Sequence, residues 1–297
     1  MFERIVVGYA GDQAGRDSVT LASELASMCG AELTIVYPYH PLLSTVPSDV
    51  AELGARGEVA ALLGDHAAEK SKWDWSNASW PIHALHEMAE YEQAQVIVFG
   101  AAPERLQRRH LNLMERMVHG APCAVVIAPA GYADREHGAI RRVGVGFVDT
   151  PEARHALELG SELSLRQGVE VRALAGASLS PALLGYASMT PLLPSVQQEI
   201  HEETAAALSR AASDIGGESR MRLEVLSGDP SQLLVNASGE LDLLILGSRA
   251  YGPLRHALLG SVSAEAMRGS RCPVLVLPRQ TPILTSPRGS RAALAEH

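Results

Sequence analysis

Residues 5–36, IVVGYAGDQAGRDSVTLASELASMCGAELTIV, lie without a gap over residues 143–174, VGVGFVDTPEARHALELGSELSLRQGVEVRAL. Gly8 falls on Gly146, Arg16 on Arg154, Ser23-Glu24-Leu25 on Ser161-Glu162-Leu163, Gly30 on Gly168 and Glu32 on Glu170. Such a repeat constrains the fold more than any single motif, because whatever one copy forms the other must also form. The correspondence continues downstream: AQVIVFG (94–100) matches LDLLILG (241–247), and APCAVVIAP (121–129) resembles RCPVLVLP (271–278). Both halves therefore carry the same elements in the same order.

Within a half, Ile5–Val7, Leu33–Val36, Val96–Phe99 and Ala124–Ile127 are short, apolar and rich in β-branched residues, as strands buried on both faces are. Arg16–Cys29 places Val19, Leu21, Ala22, Leu25 and Met28 at close to helical spacing and stops at Gly30; Ala153–Arg166 with Gly168 repeats this. Strands alternating with helices predict right-handed βαβ crossovers and a mainly parallel sheet covered on both sides. The expected fold is α/β, with two tandem doubly wound parallel-sheet domains. The polar stretch GYADREHGAIRR (131–142) suits a linker, which sets the domains at 1–133 and 139–279 with a disordered tail at 280–297. A long amphipathic helix is expected from about Val196 to Asp214.

Composition narrows the function classes. Over 297 residues, 46% hydrophobic and 20% charged is the balance of a globular chain with an aliphatic core, since aromatics are only 4%. A net charge of −9 argues against a nucleic-acid partner, and no segment reads as a signal peptide or a membrane span. Cys29, Cys123 and Cys272 have neither zinc nor CxxC spacing, so free thiols in a cytoplasmic protein are expected.

In an open parallel sheet, ligands bind beyond the carboxyl ends of the strands where neighbouring loops diverge. Two loops of the second half qualify. One is Gly146-Phe147-Val148-Asp149-Thr150; the other is LGSRAYGPLRHALLGSVS (246–263). Gly247 ends a strand without a side chain, and Gly260-Ser261 opens a helix, where free N–H groups and the dipole favour anions. The plainer alternative is that Gly260 and Ser261 only cap that helix, a contribution of about 1 kcal/mol that needs no ligand.

The stretch 247–278, GSRAYGPLRHALLGSVSAEAMRGSRCPVLVLP, is similar to the carboxy-terminal signature of the universal stress protein family, whose ATP-binding members carry Gly-x2-Gly-x9-Gly-Ser/Thr. Gly247, Gly260 and Ser261 occupy the first, third and last places. Ala250 stands where the second glycine belongs, with Gly252 two residues on, and Val148 fills the column of an acidic residue, with Asp149 beside it. The resemblance extends over both halves and implies Rossmann-like domains of the adenine-nucleotide alpha hydrolase type. It implies ATP or a related adenine nucleotide, with or without Mg, in the second half. Gly146, Phe147, Val148 and Asp149 would flank base and ribose, Gly247, Arg249 and Ala250 the phosphate and ribose side. Gly260, Ser261, Val262 and Ser263 would donate hydrogen bonds to phosphates. It further implies that the final strands, near Val125 and Val274–Leu277, pair the halves, with a homodimer through the last strands or the pseudo-dimer surface, and a stress-linked regulatory role with a protein partner.

The first half lacks the cradle: Arg109-His110 stand where Gly260-Ser261 stand in the second, and Ala10 takes the acidic column. Arg105, Arg108 and Arg109 read as a solvated basic helix start. His83 and His86 are three apart on a helix, without a third metal ligand of clear spacing. Trp73, Trp75 and Trp80 crowd KWDWSNASW without basic neighbours and read as packing residues; Arg255 and His256 read as exposed loop residues. No Walker lysine, nucleophile elbow or general base accompanies the Gly-Ser turn, so at most weak ATP hydrolysis is expected. The rivals are a nucleotide-free scaffold, and an ATPase or nucleotide transferase.

Overall fold

A computed structural model describes residues 2–38, 49–64, 71–76, 81–101, 114–135, 138–178, 193–248 and 260–278. The first half runs β1 (Arg4–Gly8), α1 (Gln13–Cys29), β2 (Glu32–Pro38), α2 (Asp49–Leu63), β3 (Lys72–Ser76), α3 (Pro81–Tyr91), β4 (Val96–Gly100) and β5 (Ala124–Ala128). The second runs β6 (Arg142–Phe147), α4 (Pro151–Gln167), β7 (Glu170–Ala177), α5 (Leu193–Asp214), β8 (Met221–Ser227), α6 (Pro230–Ala237), β9 (Leu243–Gly247), α7 (Ser261–Gly269) and β10 (Val274–Leu277).

The strands form one ten-stranded sheet in the order β3-β2-β1-β4-β5-β10-β9-β6-β7-β8. Every pairing is parallel except β5 with β10, where Val274 faces Ile127 and Val276 faces Val125. Each half thus has its switch point between its first and fourth strands, β1/β4 and β6/β9. The final strands do join the halves, as the resemblance implied. Because β5 is flanked by β4 and β10, and β10 by β5 and β9, neither offers a free edge to a second copy. A homodimer by strand addition there is ruled out.

Alternation along the strands sends side chains to two cores. Ile5, Val7, Val98, Val126, Val145 and Ile245 pack under α1 and α4, while Val6, Ile97, Val125, Leu244, Leu246 and Val274 pack on the side of α3, α6 and α7. The helices end where the glycines predict: Gly30 (φ 69°) and Gly168 (φ 65°) are left-handed caps whose N–H groups donate to Ala26 and Ser164 carbonyls. The N-terminal bounds fall earlier than hydrophobic spacing alone suggested. Asp12 accepts from Gly15 N–H and Thr150 from Ala153 N–H, so side-chain caps start α1 and α4 before their first apolar residues. The long helix α5 likewise begins at Leu193 rather than Val196.

The linker is packed rather than loose. Asp17, wholly buried on α1, accepts from Gly131 N–H and Ala133 N–H at 2.8 Å each, and buried Tyr132 donates to Glu24 at 2.6 Å. Residues 280–297, expected as a tail, lie outside the described residues, as does residue 279.

Candidate functional site

A cavity of about 310 Å³ opens at the carboxyl ends of the second half's strands, spanning the β6/β9 switch point. The end of β6 brings Gly146 and Phe147 to it, the loop that follows Val148 and Asp149, β9 Gly247, and the first turn of α7 Val262 and Ser263. Gly260 and Ser261 sit at the start of α7, outside the lining. Arg249 and Ala250 lie outside the described residues, as do Gly252, Arg255 and His256 in the same loop.

The α7 start differs from the starts of α4 and α6. Thr150 caps α4 and Asp229 caps α6, accepting from Ser231 and Gln232 N–H at 3.0 Å. Gly260 is the cap residue of α7, with no side chain of its own to accept from that helix's first turn, and no side-chain cap is present among the described residues. Ser261 is already inside the helix, so its hydroxyl is not the cap. An uncapped turn keeps its N–H donors and the positive end of its dipole for an anion.

Two sequence expectations acquire different physical explanations. A Cβ on Gly247 would stand 2.7 Å from the Glu152 carbonyl carbon and 2.9 Å from Ala153 nitrogen, so the close approach of α4 by itself requires a glycine here, whose backbone also lines the cavity. Gly100, in the half without the cradle, meets α1 the same way, 2.0 Å from Ala14 oxygen. Asp149 is held by Arg154, whose Nη2 and Nε donate at 2.9 and 3.1 Å, and Arg154 also reaches Asp214 at 3.0 Å. Val148 is 48% exposed at the lip of the cavity.

The remaining wall comes from residues that motif reading passed over: Leu174, Ala175 and Gly176 at the end of β7, Glu203 and Thr204 on α5, and Ser248 after β9. One signal lay in the repeat itself. One column past the aligned segment, Tyr37-Pro38 of the first half stand over Ala175-Gly176 of the second. Tyr37 packs edge to face on Tyr9 with ring centroids 6.1 Å apart, where the second half has Ala175 beside Phe147. The Tyr9 hydroxyl donates to Glu58 on α2, which also takes Arg16 at 3.1 Å. Burial and that hydrogen bond push the Tyr9 phenol well above its usual range, while Tyr9 and Arg16 hold Glu58 below the ordinary carboxylate value. Phe147 keeps a ring in the Tyr9 column, but the first half adds a second ring, Tyr37, where the second half has Ala175 lining the cavity. Arg105, Arg108, Arg109 and His110 lie outside the described residues.

The family model for universal stress proteins matches residues 1–129 and again 139–278. The chain belongs to the universal stress protein family. A universal stress protein of Mycobacterium tuberculosis (strain H37Rv) is 27% identical over 300 residues, covering 92% of this chain and 99% of that one. Among solved structures, a universal stress protein from Archaeoglobus fulgidus superposes with a TM-score of 0.63 at 17% identity, covering 93% of this chain and 96% of that one. A functionally unknown Pseudomonas aeruginosa protein reaches 0.61 at 13% identity, covering 94% and 93%. These likenesses establish a tandem universal stress protein fold, with one family unit in each half.

Other residues of the universal stress protein domains fall into packing roles. His86 bonds the Met117 carbonyl at 2.9 Å, and Trp73 packs on the core with Arg56 4.8 Å from its ring centre. Trp80 lies outside the described residues. Burial pushes the thiols up, Cys29 and Cys272 to about 11 and Cys123 to about 12, and all three cysteines are free. Among the described residues, no helix is long and apolar enough to cross a membrane.

Proposed function

We propose that this universal stress protein binds ATP or a related adenine nucleotide in its second domain and acts as a cytoplasmic, stress-linked regulator of a protein partner rather than as an enzyme. On this reading the domains are 1–133 and 139–279. The observation that carries it is the uncapped first turn of α7 opening on a cavity of about 310 Å³ at the switch point, of the size small-molecule sites have. Val262 and Ser263 line that cavity and, with Gly260 and Ser261, supply the phosphate side. The small residues Ala175 and Gly176, between Leu174 and Leu226, make an apolar bed for a base. Gly146, Phe147 and Val148 line the cavity on the side of β6 and Gly247 on that of β9. Asp149 and Glu203 are the acidic groups of the lining, placed for ribose hydroxyls or for a Mg ion carried in with the nucleotide.

The test is mass analysis of nucleotide released from purified full-length protein, with calorimetric titration of ATP. Bound adenine nucleotide or saturable heat supports the reading; no binding at millimolar ATP removes it. A second reading, a nucleotide-free scaffold, is favoured by the Arg154–Asp149 pair and by the packing explanation of Gly247. The same titration separates the two.

A further inference from the structure

We propose that β8 is a dimerisation edge, which pairs antiparallel with β8 of a second copy of this chain in a register centred on Leu223. Among the described residues β8 ends the ten-stranded sheet and pairs only with β7. Main-chain groups point to alternate sides along a strand. The Gly228 N–H donates to the Ala177 carbonyl at the end of β7, so Arg222, Glu224 and Leu226 also turn their main-chain groups to β7. Met221, Leu223 and Val225 therefore turn theirs outward, where no main-chain partner meets them among the described residues. A row of unpaired N–H and C=O groups is a template for a further strand.

Charge selects both the partner and the register. A copy related by a two-fold axis runs antiparallel to β8, so its residues stand opposite in reverse order. Centred on Leu223, Arg222 of each copy stands opposite Glu224 of the other, on one face of the joined sheet. Centred on Arg222 or on Glu224, like charges would face each other, which destabilises a pair of strands. In the favoured register Leu223 meets Leu223 and Met221 meets Val225, each pair exchanging two main-chain bonds. Leu223 and Val225 are half-buried apolar residues, so the second face gains apolar contact across the axis. Arg222 is 72% exposed and touches only Glu224 of its own strand, at 3.0 Å, among its ion-pair partners in the described residues. Glu224 is held by Arg172, whose Nε and Nη2 each donate at 2.9 Å, and a carboxylate has room for a further donor. The helix α5 packs across β7 and β8. Its two copies would stand about 14 Å apart, three strand spacings, which clears the 8–10 Å at which helices pack.

The opposite end of the sheet, β3, carries the same order of basic, apolar and acidic residues in Lys72-Trp73-Asp74. Its groups are engaged within the chain. Lys72 pairs with Glu92 at 2.7 Å, and Arg56 stands 4.8 Å from the centre of the Trp73 ring. β3 also has five residues against seven in β8. The edge of the second half is therefore the one that fits a second copy.

The experiment is sedimentation equilibrium of the full-length protein, with Leu223→Pro and Arg222→Glu beside wild type. Wild type is expected at twice the 31.6 kDa chain mass. Proline at 223 removes an outward N–H and leaves the bonds to β7, so a folded single chain is expected. Arg222→Glu sets carboxylates opposite each other and should weaken the dimer about tenfold, with added salt narrowing the difference. Under oxidation Leu223→Cys should cross-link to its own copy. Val225→Cys should not, because its two copies lie about 13 Å apart along the strands, too far for a disulfide. A single chain mass for wild type at every concentration overturns the inference. So does a dimer that persists in folded Leu223→Pro, or equal cross-linking of the two cysteine variants. If Leu223→Pro does not fold, Arg222→Glu decides at an exposed side chain, and an undiminished dimer there overturns the assignment to this edge.

Discussion

Arg154 closes on Asp149 with two donors, Nη2 at 2.9 Å and Nε at 3.1 Å, and with its remaining nitrogen ties Asp214 at the end of α5 to the same lip of the cavity. Both partners of the Arg154–Asp149 pair are substantially exposed, so solvent and salt screen it and the carboxylate is released at small cost. Where Asp149 turns to serve a ribose hydroxyl, binding competes with this pair, which holds Oδ1. Arg154→Ala should then strengthen adenine-nucleotide binding by no more than a few-fold, and added salt should narrow the difference from wild type. Calorimetry at two ionic strengths measures it; weaker binding in Arg154→Ala would show that the arginine itself contributes to the ligand.

Gly247→Ala and Gly100→Ala form a matched pair. In each, the new Cβ would meet helix backbone, Glu152 and Ala153 for one, Ala14 for the other, and backbone cannot swing aside as a side chain does. Overpacking of this kind costs about 1–3 kcal/mol. Both variants should therefore lose stability in urea unfolding, with Gly100→Ala affected although its half has no cradle. Normal stability in Gly247→Ala with lost nucleotide binding would return the glycine to a ligand role.

The repeat carried the fold because it joined strand, helix and cap signals in register over two copies, and Gly30 and Gly168 end their helices as their positions predict. The position of the cavity followed from topology, since it opens where the chain leaves β6 and β9 at the switch point. What the sequence could not supply was the meeting of distant residues. Asp214 is 60 residues from Arg154, and Glu58 is 49 from Tyr9. Gly247 showed the reverse problem: a glycine in a loop motif invites a ligand explanation, whereas α4 passing beneath it supplies a packing one. Ser248 was illegible because its burial and its phase on β9 are set by a sheet whose order is not the chain order.

Asp17 tests whether the linker is held or merely spans. Its carboxylate is buried and accepts from Gly131 and Ala133 N–H at 2.8 Å and from Gln13 Nε2 at 3.0 Å. Alanine would strand those backbone donors away from water, at a cost of about 3 kcal/mol. Asp17→Ala should shift the urea midpoint down strongly, and limited proteolysis should cut within 131–142 at rates wild type does not show. A variant of wild-type stability, uncut there, would mean that Tyr132 and Ile140 alone anchor the segment.

Asp242, just before β9, contributes to the acid side of the stability profile. Burial alone would push its carboxyl up, but the Arg142 guanidinium at 2.9 Å and the Arg141 and Arg142 N–H groups at 3.0 and 2.8 Å outweigh it, holding the group below the ordinary carboxylate range. A carboxyl with a lowered folded pKa binds fewer protons folded than unfolded between the two values. Its stabilisation is present in full above the unfolded value of about 3.9 and is lost as pH falls through the folded value. Asp242→Asn should be less stable than wild type near neutrality, and the difference should shrink as pH drops below about 4. Thermal unfolding of both proteins across that range measures the closing gap; a constant gap would show that the carboxylate's charge contributes nothing and that the neutral amide fails for reasons of shape.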